Sequence, residues 1–234
     1  MRGMLSRAFV VAALLTGCAT ADRATDHNAA LVDAADPTSV DSRTPIPVDG
    51  HTTTTADAPP TGCTPMQTDL LANGGMDASP TGNGWTAAPI DPTYPIIAPQ
   101  MPAGYSPNTT PNVAWMGGFA QAGATDTMYQ DVTVPASTTS LVLTGSYMVL
   151  TSETGTTAKD RATVELRTTT GTKIEAVLSL DNRSTATSWT PLNHSFANPS
   201  VGQTVRLYFT SSNNTTLVTD FFYDSLQLVA THCD

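Results

Sequence analysis

Hydrophobic and polar residues alternate along much of the chain, most clearly in two segments near its C-terminus, residues 201–209 and 220–229. A period of two indicates β-strands that bury one face. A polar turn separates the two segments, so the pattern predicts that they form a closing hairpin. In the first segment Val205, Leu207 and Phe209 share a face. In the second, the shared face contains Phe222, Asp224, Leu226 and Leu228.

Shorter apolar or alternating segments precede this pair and are separated by turn residues. The segment at 91–111 differs, because its six prolines exclude a central strand and indicate a long ordered loop or an edge. No segment has the period of a convincing helix. The sequence therefore predicts an all-β fold, an antiparallel β-sandwich of the jelly-roll type. Its earlier strands are expected within residues 69–77, 112–119, 126–134, 141–149, 162–167, 172–180 and 189–196.

Composition narrows the function classes. Only 13% of the residues are charged and the net charge is −10, whereas about a quarter of the residues of an ordinary soluble domain are charged. A chain with so few cations cannot neutralise a phosphate backbone, which disfavours nucleic-acid binding. The sequence also lacks the nucleophile-elbow, zinc-protease, phosphate-loop and dinucleotide motifs. These observations predict a protein that is not an enzyme.

The first residues resemble a bacterial lipoprotein signal. The apolar run at 8–15 is too short to span a bilayer but suits a signal peptide, and it leads into Leu15-Thr16-Gly17-Cys18, which resembles a lipobox. The resemblance implies cleavage after residue 17, lipidation of Cys18 and, because Ala19 rather than aspartate follows, an outer-membrane location in the cell envelope. The alternative is an ordinary signal peptide with a chance cysteine. Residues 18–62 lack aromatic residues and a lasting apolar period, which predicts a disordered spacer.

Two cysteines remain once Cys18 is assigned to lipid. Cys63 and Cys233 flank the predicted strands, and in an oxidising compartment this spacing predicts a disulfide that joins the ends of a domain at residues 63–234. A metal site with His232 beside Cys233 is the weaker alternative.

The order of several motifs resembles a galactose-binding-like jelly roll, the fold of carbohydrate-binding modules appended to secreted bacterial proteases and glycosidases. The motifs are NGGMD, AWMGGF, TDTMYQDVTVPA, LTGSYMVLTSETG and FFYDSLQL, and they cover residues 70–228. The chain departs from the pattern at Met76, where an aromatic residue is usual, and at Ser225, where a second acidic residue is usual.

The resemblance implies a structural calcium ion between the opening loop and the last strand, with Asp77 and Asp224 at the matching positions. Glu153 and Asp160 are a second candidate source of oxygen ligands. The alternative for Asp224 is a carboxylate that accepts hydrogen bonds from backbone amides of a neighbouring loop. Glu153 and Asp160 could also form an acid/base pair, but their position around a loop favours a role in the turn.

Carbohydrate is the ligand class that we expect, since sugar rings stack on aromatic faces while amides bind their hydroxyl groups. Tyr94 and Tyr105, with Asn108 and Asn112 nearby, form the predicted platform. Alternatively, the tyrosines pack the proline-rich loop onto the sandwich, while the core contains Trp85, Trp115 and Trp189.

The sequence therefore predicts a non-catalytic, lipid-anchored binding module of the cell envelope. The anchor is expected to be its only contact with the membrane. The alternative is a structural or adhesive lipoprotein that contacts a cell-surface protein and binds no sugar.

Overall fold

The computed structural model describes residues 63–120, 123–184 and 186–233. The predicted signal peptide, Cys18 and the spacer lie outside these ranges. Within the ranges the chain forms β-strands and no helix that could cross a membrane. The strands are β1 (Pro65–Asp69), β2 (Thr86–Ala88), β3 (Ile97–Ala98), β4 (Val113–Gly117), β5 (Ala124–Thr133), β6 (Thr138–Thr151), β7 (Arg161–Thr168), β8 (Lys173–Asp181), β9 (Thr190–Ser195), β10 (Thr204–Asn213) and β11 (Thr219–Cys233).

The strands form two antiparallel sheets. The first sheet has the order β3-β4-β11-β6-β9, with β1 also paired to β11, and the second sheet has the order β2-β5-β10-β7-β8. From β4 to β7 and again from β9 to β11, each consecutive strand lies in the opposite sheet, which is the winding of a jelly roll. The predicted all-β antiparallel sandwich is confirmed.

One main hydrophobic core lies between the sheets. Strand β10 illustrates how the sequence produces it, because Val205, Leu207 and Phe209 are at most 1% exposed while the residues between them face outward. Strands β5 and β7, which flank β10 in the sheet, show the same alternation. The inward side chains of all three strands therefore form one buried layer. The largest buried side chains of this core include Met76, Met128, Leu166, Phe209, Phe221 and Tyr223.

The predicted closing hairpin is wrong. Strand β10 pairs with β5 and β7 in the second sheet, whereas β11 pairs with β4, β6 and β1 in the first. The segment 214–218 therefore crosses from one sheet to the other. Alternation reports that a strand has one buried face, but it does not report which strand lies beside it.

The predicted buried face of β11 is also wrong, because a β-bulge interrupts its alternation. Asp224 lies opposite Ser146 and Gln227 opposite Thr144, so two residues of β11 face Gly145 alone. Ser225, in the bulge, has a φ of 55°. Phe221 and Tyr223 face the main core before the bulge, and after it the residues that do so are Leu226, Leu228 and Ala230.

The first strand lies upstream of its predicted place. Strand β1 ends at Asp69, and most of the segment 69–77 forms turns along β11. The amide of Leu70 donates to the carbonyl oxygen of Leu228 at 2.8 Å, and the amide of Leu226 donates to that of Gly74 at 3.0 Å. The opening loop thus occupies the edge of β11 between its partners β4 and β1.

A second, smaller core lies on the outer face of the first sheet. It consists of Val113, Met148 and Phe222, and the loop residue Met101 packs against it. Trp189 fixes the loop by donating from Nε1 to the carbonyl oxygen of Ser106 at 2.9 Å. The proline-rich segment is therefore an ordered cover for this face. Trp115 and Trp189 pack here rather than in the main core, whereas Trp85 packs against the main core as predicted.

The ends of the domain meet, as the cysteines predicted. Cys63 and Cys233 form a disulfide with a Cα–Cα distance of 5.5 Å. Beside it, β1 pairs with the end of β11 from Pro65 opposite Cys233 to Asp69 opposite Val229.

Two adjacent glycines test the docking of the opening loop. A Cβ on Gly74 would overlap the carbonyl oxygen of Leu226, whereas a Cβ on Gly75 would have no atom closer than 3.7 Å. We expect Gly74→Ala to lower the free energy of unfolding by about 2 kcal/mol or more, because the loop must leave its hydrogen bond to β11. Gly75→Ala should cost much less. Chemical denaturation of both variants measures the difference, and equal losses would contradict this account.

Candidate functional site

A groove of about 400 Å³ lies beside the connection between β2 and β3. Its walls come from the turn at 81–86 and from the first part of the proline-rich segment. The lining is mostly apolar, with hydroxyl groups and one carboxylate among it, a composition typical of small-ligand sites. The lining residues are Thr81, Gly82, Trp85, Thr86, Ala87, Pro89, Ile90, Asp91, Pro92, Pro95, Ile96 and Ile97.

Trp85 is the aromatic residue of the groove, and the fold holds it rigidly. Its Nε1 donates to the carbonyl oxygen of Asn73 at 2.9 Å. Its ring meets Phe209 edge to face, with centroids 5.9 Å apart. One side of the indole is therefore fixed by the core, while the residue also lines the groove.

Ile90 and Asp91 lie on the rim of the groove. Ile90 is 91% exposed, although it is a large apolar side chain. Asp91 Oδ1 accepts hydrogen bonds from the amides of Thr93 at 2.8 Å and Tyr94 at 3.3 Å. One oxygen of this carboxylate thus stabilises the turn at residues 91–94.

The predicted aromatic platform lies outside the groove lining. Tyr94 and Tyr105 are 41% and 43% exposed. The ring of Tyr94 meets Phe119 edge to face at 6.2 Å, and the amide of Tyr105 closes a turn with the carbonyl oxygen of Pro102 at 3.1 Å. Both rings are accessible to a ligand, and whether they bind one stays a prediction.

The two predicted asparagines differ in their access to solvent. Asn108 is exposed, and its Nδ2 donates to Ser225 Oγ at 2.9 Å. Asn112 is buried, and its Nδ2 donates to the carbonyl oxygen of Met76 at 3.1 Å. Asn112 therefore joins the opening loop to the start of β4.

Asp77 and Asp224, the predicted calcium ligands, hold the two ends of one short loop. Asp77 Oδ1 accepts a hydrogen bond from the amide of Asn112 at 2.8 Å. The fully buried Asp224 accepts bonds from the amide of Thr109 at 2.8 Å and from its hydroxyl at 2.9 Å. Burial raises the pKa of Asp224, and the donors from Thr109 and Ser225 oppose that rise.

These contacts match the alternative in which Asp224 accepts hydrogen bonds from a neighbouring loop. Calcium takes six to eight oxygen ligands, and the residues that the structure describes contain no group of three or more His, Cys, Asp or Glu side chains that could hold a metal ion. Calcium also takes backbone carbonyl oxygens, so a calcium ion at Asp77 and Asp224 stays a prediction.

Glu153 and Asp160 hold a different loop, the crossing between β10 and β11. Glu153 pairs with Lys159 at 2.6 Å, contacts the hydroxyl of Thr216 and accepts a bond from the amide of Leu217 at 3.0 Å. The buried Asp160 accepts bonds from the amide of Asn214 at 2.8 Å and from the hydroxyl of Thr219 at 2.7 Å. The pair with Lys159 places Glu153 in the turn that the sequence favoured, whereas these contacts of Asp160 are to the crossing.

Both histidines of the described domain join neighbouring strands. His194 Nε2 lies 2.8 Å from Glu175 Oε1 and so connects β9 of the first sheet with β8 of the second. His232 Nε2 lies 2.9 Å from the hydroxyl of Thr68 on β1. The weaker alternative of a metal at His232 and Cys233 fails, because Cys233 is in the disulfide.

The outer face of the second sheet carries an aromatic and charged surface that the sequence did not reveal. Tyr129 and Tyr208 lie opposite each other on β5 and β10, with ring centroids 6.3 Å apart. The guanidinium of Arg206 lies 3.8 Å from the centre of the Tyr129 ring, and that of Arg167 lies 3.9 Å from the centre of the Tyr208 ring. Alternation predicts that the residues next to these four in the chain are buried. The four become neighbours only because β5, β10 and β7 are adjacent in the folded sheet.

No protein-family model matches the chain, and no curated protein matches it. Solved structures do. A family 61 carbohydrate-binding module in complex with β-1,4-galactotriose is 13% identical with a TM-score of 0.43, over 69% of this chain and 97% of that one. A family 16 carbohydrate-binding module is 19% identical with a TM-score of 0.41, over 68% and 99% of the two chains.

The C-terminal family 22 carbohydrate-binding module of Clostridium thermocellum Xyn10B is 13% identical with a TM-score of 0.39, over 70% of this chain and 91% of that one. Enzymes match as well, among them an arabinofuranosidase of which the match spans 26%. Carbohydrate-binding modules are thus among the structures that the chain resembles, as its motifs predicted. The matches concern the arrangement of strands, and the case for a ligand rests on the groove.

The contacts of Glu153 predict a dependence of stability on pH. The bond from Lys159, followed by that from Thr216, lowers the pKa of Glu153 from 4.5 to about 2. A carboxyl whose pKa falls on folding stabilises the fold above its unfolded pKa, and this contribution is lost as pH falls through the folded value. We therefore expect Glu153→Gln to melt below the wild type at neutral pH, with the gap closing between about pH 4.5 and pH 2.

Lys159→Gln is the matched control, because it removes the largest cause of the lowered pKa and should shift the acid loss toward higher pH. Thermal melts across the acid range measure all three proteins. Parallel curves for the wild type and Glu153→Gln would contradict the assignment.

Proposed function

We propose that residues 63–234 are a non-catalytic carbohydrate-binding module whose ligand enters the groove beside the connection between β2 and β3. The observation that carries the proposal is the lining of this groove, which combines the apolar residues Trp85 and Ile90 with the polar residues Thr81, Thr86 and Asp91.

This combination suits the two-sided chemistry of a sugar. The C–H face of a pyranose ring is apolar and stacks on aromatic and aliphatic surfaces, while its hydroxyl groups need hydrogen-bond partners. Trp85 cannot rotate freely, because Asn73 and Phe209 hold it. A site that is formed before binding loses little side-chain entropy on binding.

The contacts of the acidic residues support a non-catalytic role. A general acid needs a carboxyl that is protonated near neutral pH, whereas the pKa of Glu153 is lowered to about 2. Asp160 is buried and already accepts two hydrogen bonds from the crossing loop. Neither carboxylate lines the groove.

The proposal includes the membrane anchor. The lipobox at 15–18 supports lipidation of Cys18, and residues 18–62 would then tether the module to the outer membrane of the cell envelope. A module on such a tether can reach polysaccharides near the cell while it stays attached to it.

Two rim substitutions test the groove without disturbing the core. Ile90→Ala removes an apolar side chain that is 91% exposed, so folding should be unaffected. Asp91→Asn keeps an Oδ1 acceptor for the amides of Thr93 and Tyr94 but removes the charge. For a glycan found on an array, we expect each substitution to weaken binding by about tenfold in calorimetry, which is the scale of one buried apolar side chain or one good hydrogen bond.

Leu217→Ala is the matched control, since Leu217 is an exposed apolar residue of the crossing loop and should leave affinity unchanged. Loss of binding in Tyr94→Ala or Tyr105→Ala, with Ile90→Ala unaffected, would move the site to the platform predicted from the sequence. An empty array together with one stoichiometric protein partner would favour the structural or adhesive alternative.

The anchor is tested separately. We expect wild-type protein in a Gram-negative host to fractionate with the outer membrane and to incorporate labelled palmitate, whereas Cys18→Ser should lose the label and remain in soluble fractions, since the acyl chains supply the membrane affinity. Mass spectrometry of the mature N-terminus identifies the cleavage site. A labelled Cys18→Ser protein, or cleavage elsewhere, would contradict the proposal.

A further inference from the structure

The cations of the chain are distributed unevenly. Of its ten Lys and Arg residues, none lies between Arg43 and Lys159. The six that follow all lie in β7, β8 or β10 of the second sheet or in the loops that adjoin this sheet at residues 159 and 183. A chain with a net charge of −10 thus concentrates the cations of its domain at one sheet.

Three of these cations form a row across the outer face of the second sheet. Arg206 on β10 lies opposite Arg167 on β7, and Arg167 lies opposite Lys173 on β8. Neighbouring strands are about 4.8 Å apart, so the row places three cationic residues on adjacent strands, with a register shift beside Arg167. Like charges directly opposite each other destabilise a sheet, so the row is not explained by stability of the pairing alone.

The fold fixes both guanidinium groups. Arg206 lies over Tyr129 and donates from Nε and Nη2 to Asp131 at 2.7 and 2.8 Å. Arg167 lies over Tyr208 and contacts Glu165 at 2.7–2.8 Å. Stacking and ion pairing together orient an arginine, so that its remaining N–H groups point in defined directions.

The ion pairs leave donors and charge to spare. A guanidinium has five N–H groups, and Arg206 uses two of them on Asp131. Lys173 is the most exposed cation of the row, with 58% of its side chain accessible and its Nζ 3.9 Å from Glu165. Three cations thus face two carboxylates, which leaves a local excess of positive charge.

A row of hydroxyl groups runs parallel to the cations on the other side of the tyrosines. It crosses the same sheet from β5 through β10 and β7 to β8 over about 14 Å. Its members are Thr127, Thr210, Thr163 and Ser179. The outward residues of this sheet are half-exposed or exposed, whereas Met148 and Phe222 on the outer face of the first sheet are at most 1% exposed beneath the proline-rich segment.

We propose that the outer face of the second sheet binds an acidic polysaccharide, with uronic acid carboxylates on Arg206, Arg167 and Lys173 and sugar hydroxyls on the tyrosines and the hydroxyl row. Charge complementarity favours this face as the site for a polyanion, because the cations of the domain are concentrated at the second sheet and the chain has a net charge of −10. The planar guanidinium fork suits carboxylates, and Arg206 with Asp131 shows this pairing within the face itself. Neighbouring hydroxyl groups favour a sugar polymer over an acidic peptide.

This face adjoins the groove at Thr86, which lies opposite Tyr129, but it uses neither Ile90 nor Asp91 and does not depend on the function proposed for the groove. The test uses the complete domain and polygalacturonate as the probe, in affinity electrophoresis and calorimetry. We expect the wild type to bind, with an affinity that falls as salt is raised, and Arg167→Gln/Arg206→Gln to bind at least about tenfold more weakly. Arg183→Gln, a substitution of an exposed arginine in a loop beside the sheet, is the matched control and should bind as the wild type does.

Three further measurements distinguish the proposed ligand and face from their alternatives. Methyl-esterified polygalacturonate should not bind, and poly-L-glutamate should bind more weakly than the sugar polymer. Ile90→Ala should bind polygalacturonate normally, which separates this face from the groove. Wild-type affinity in a correctly folded double variant, equal binding of the esterified polymer, or equal binding of poly-L-glutamate would each overturn the proposal.

Discussion

The fold depends on satisfying the hydrogen-bonding groups of β11 along both of its edges. This strand runs through the middle of the first sheet, and β6 follows one edge for almost its whole length. On the other edge β4 covers the start and β1 the end. The opening loop fills the interval between them, since Leu226 bonds to Gly74 and Leu228 to Asp69. A buried backbone group without a partner is costly. At the bulge, the amide of Leu226 has its partner in the carbonyl oxygen of Gly74, which requires Gly74 to lie close to β11.

The outer faces of the two sheets differ in composition and in access to solvent. Phe222 and Met148 lie on the outward side of the first sheet, and the proline-rich segment buries them in a second core. This cover keeps apolar surface from water, and its first part also forms a wall of the groove. The second sheet carries hydroxyls, tyrosines and ion pairs on its outward side and has no need of a cover. The composition of each outer face thus decides whether a loop covers it or solvent reaches it.

Acidic residues act mainly as acceptors for loop backbones in this domain. Asp77 and Asp224 hold the segment before β4, and Glu153 and Asp160 hold the crossing between β10 and β11. From the sequence, all four were candidates for calcium binding, and Glu153 and Asp160 were also considered as an acid/base pair. Which role a carboxylate has depends on the groups that surround it after folding, and residues far apart in sequence supply those groups.

The sequence by itself determined the fold class, most of the strands and the disulfide, because these follow from alternation, proline placement and cysteine count. It also predicted that the proline-rich segment is a loop or an edge, and the only strand in that segment, β3, lies at the edge of the first sheet. Tertiary structure alone decided that β10 and β11 lie in different sheets, that a bulge reverses the faces of β11, and that Trp85 and Ile90 line one groove. The arginine–tyrosine face belongs to the same group, since β5, β10 and β7 are neighbours only after folding. The physical reason is that a period of two records which side of a strand is buried, whereas strand order and loop docking depend on contacts between segments that the local pattern does not contain.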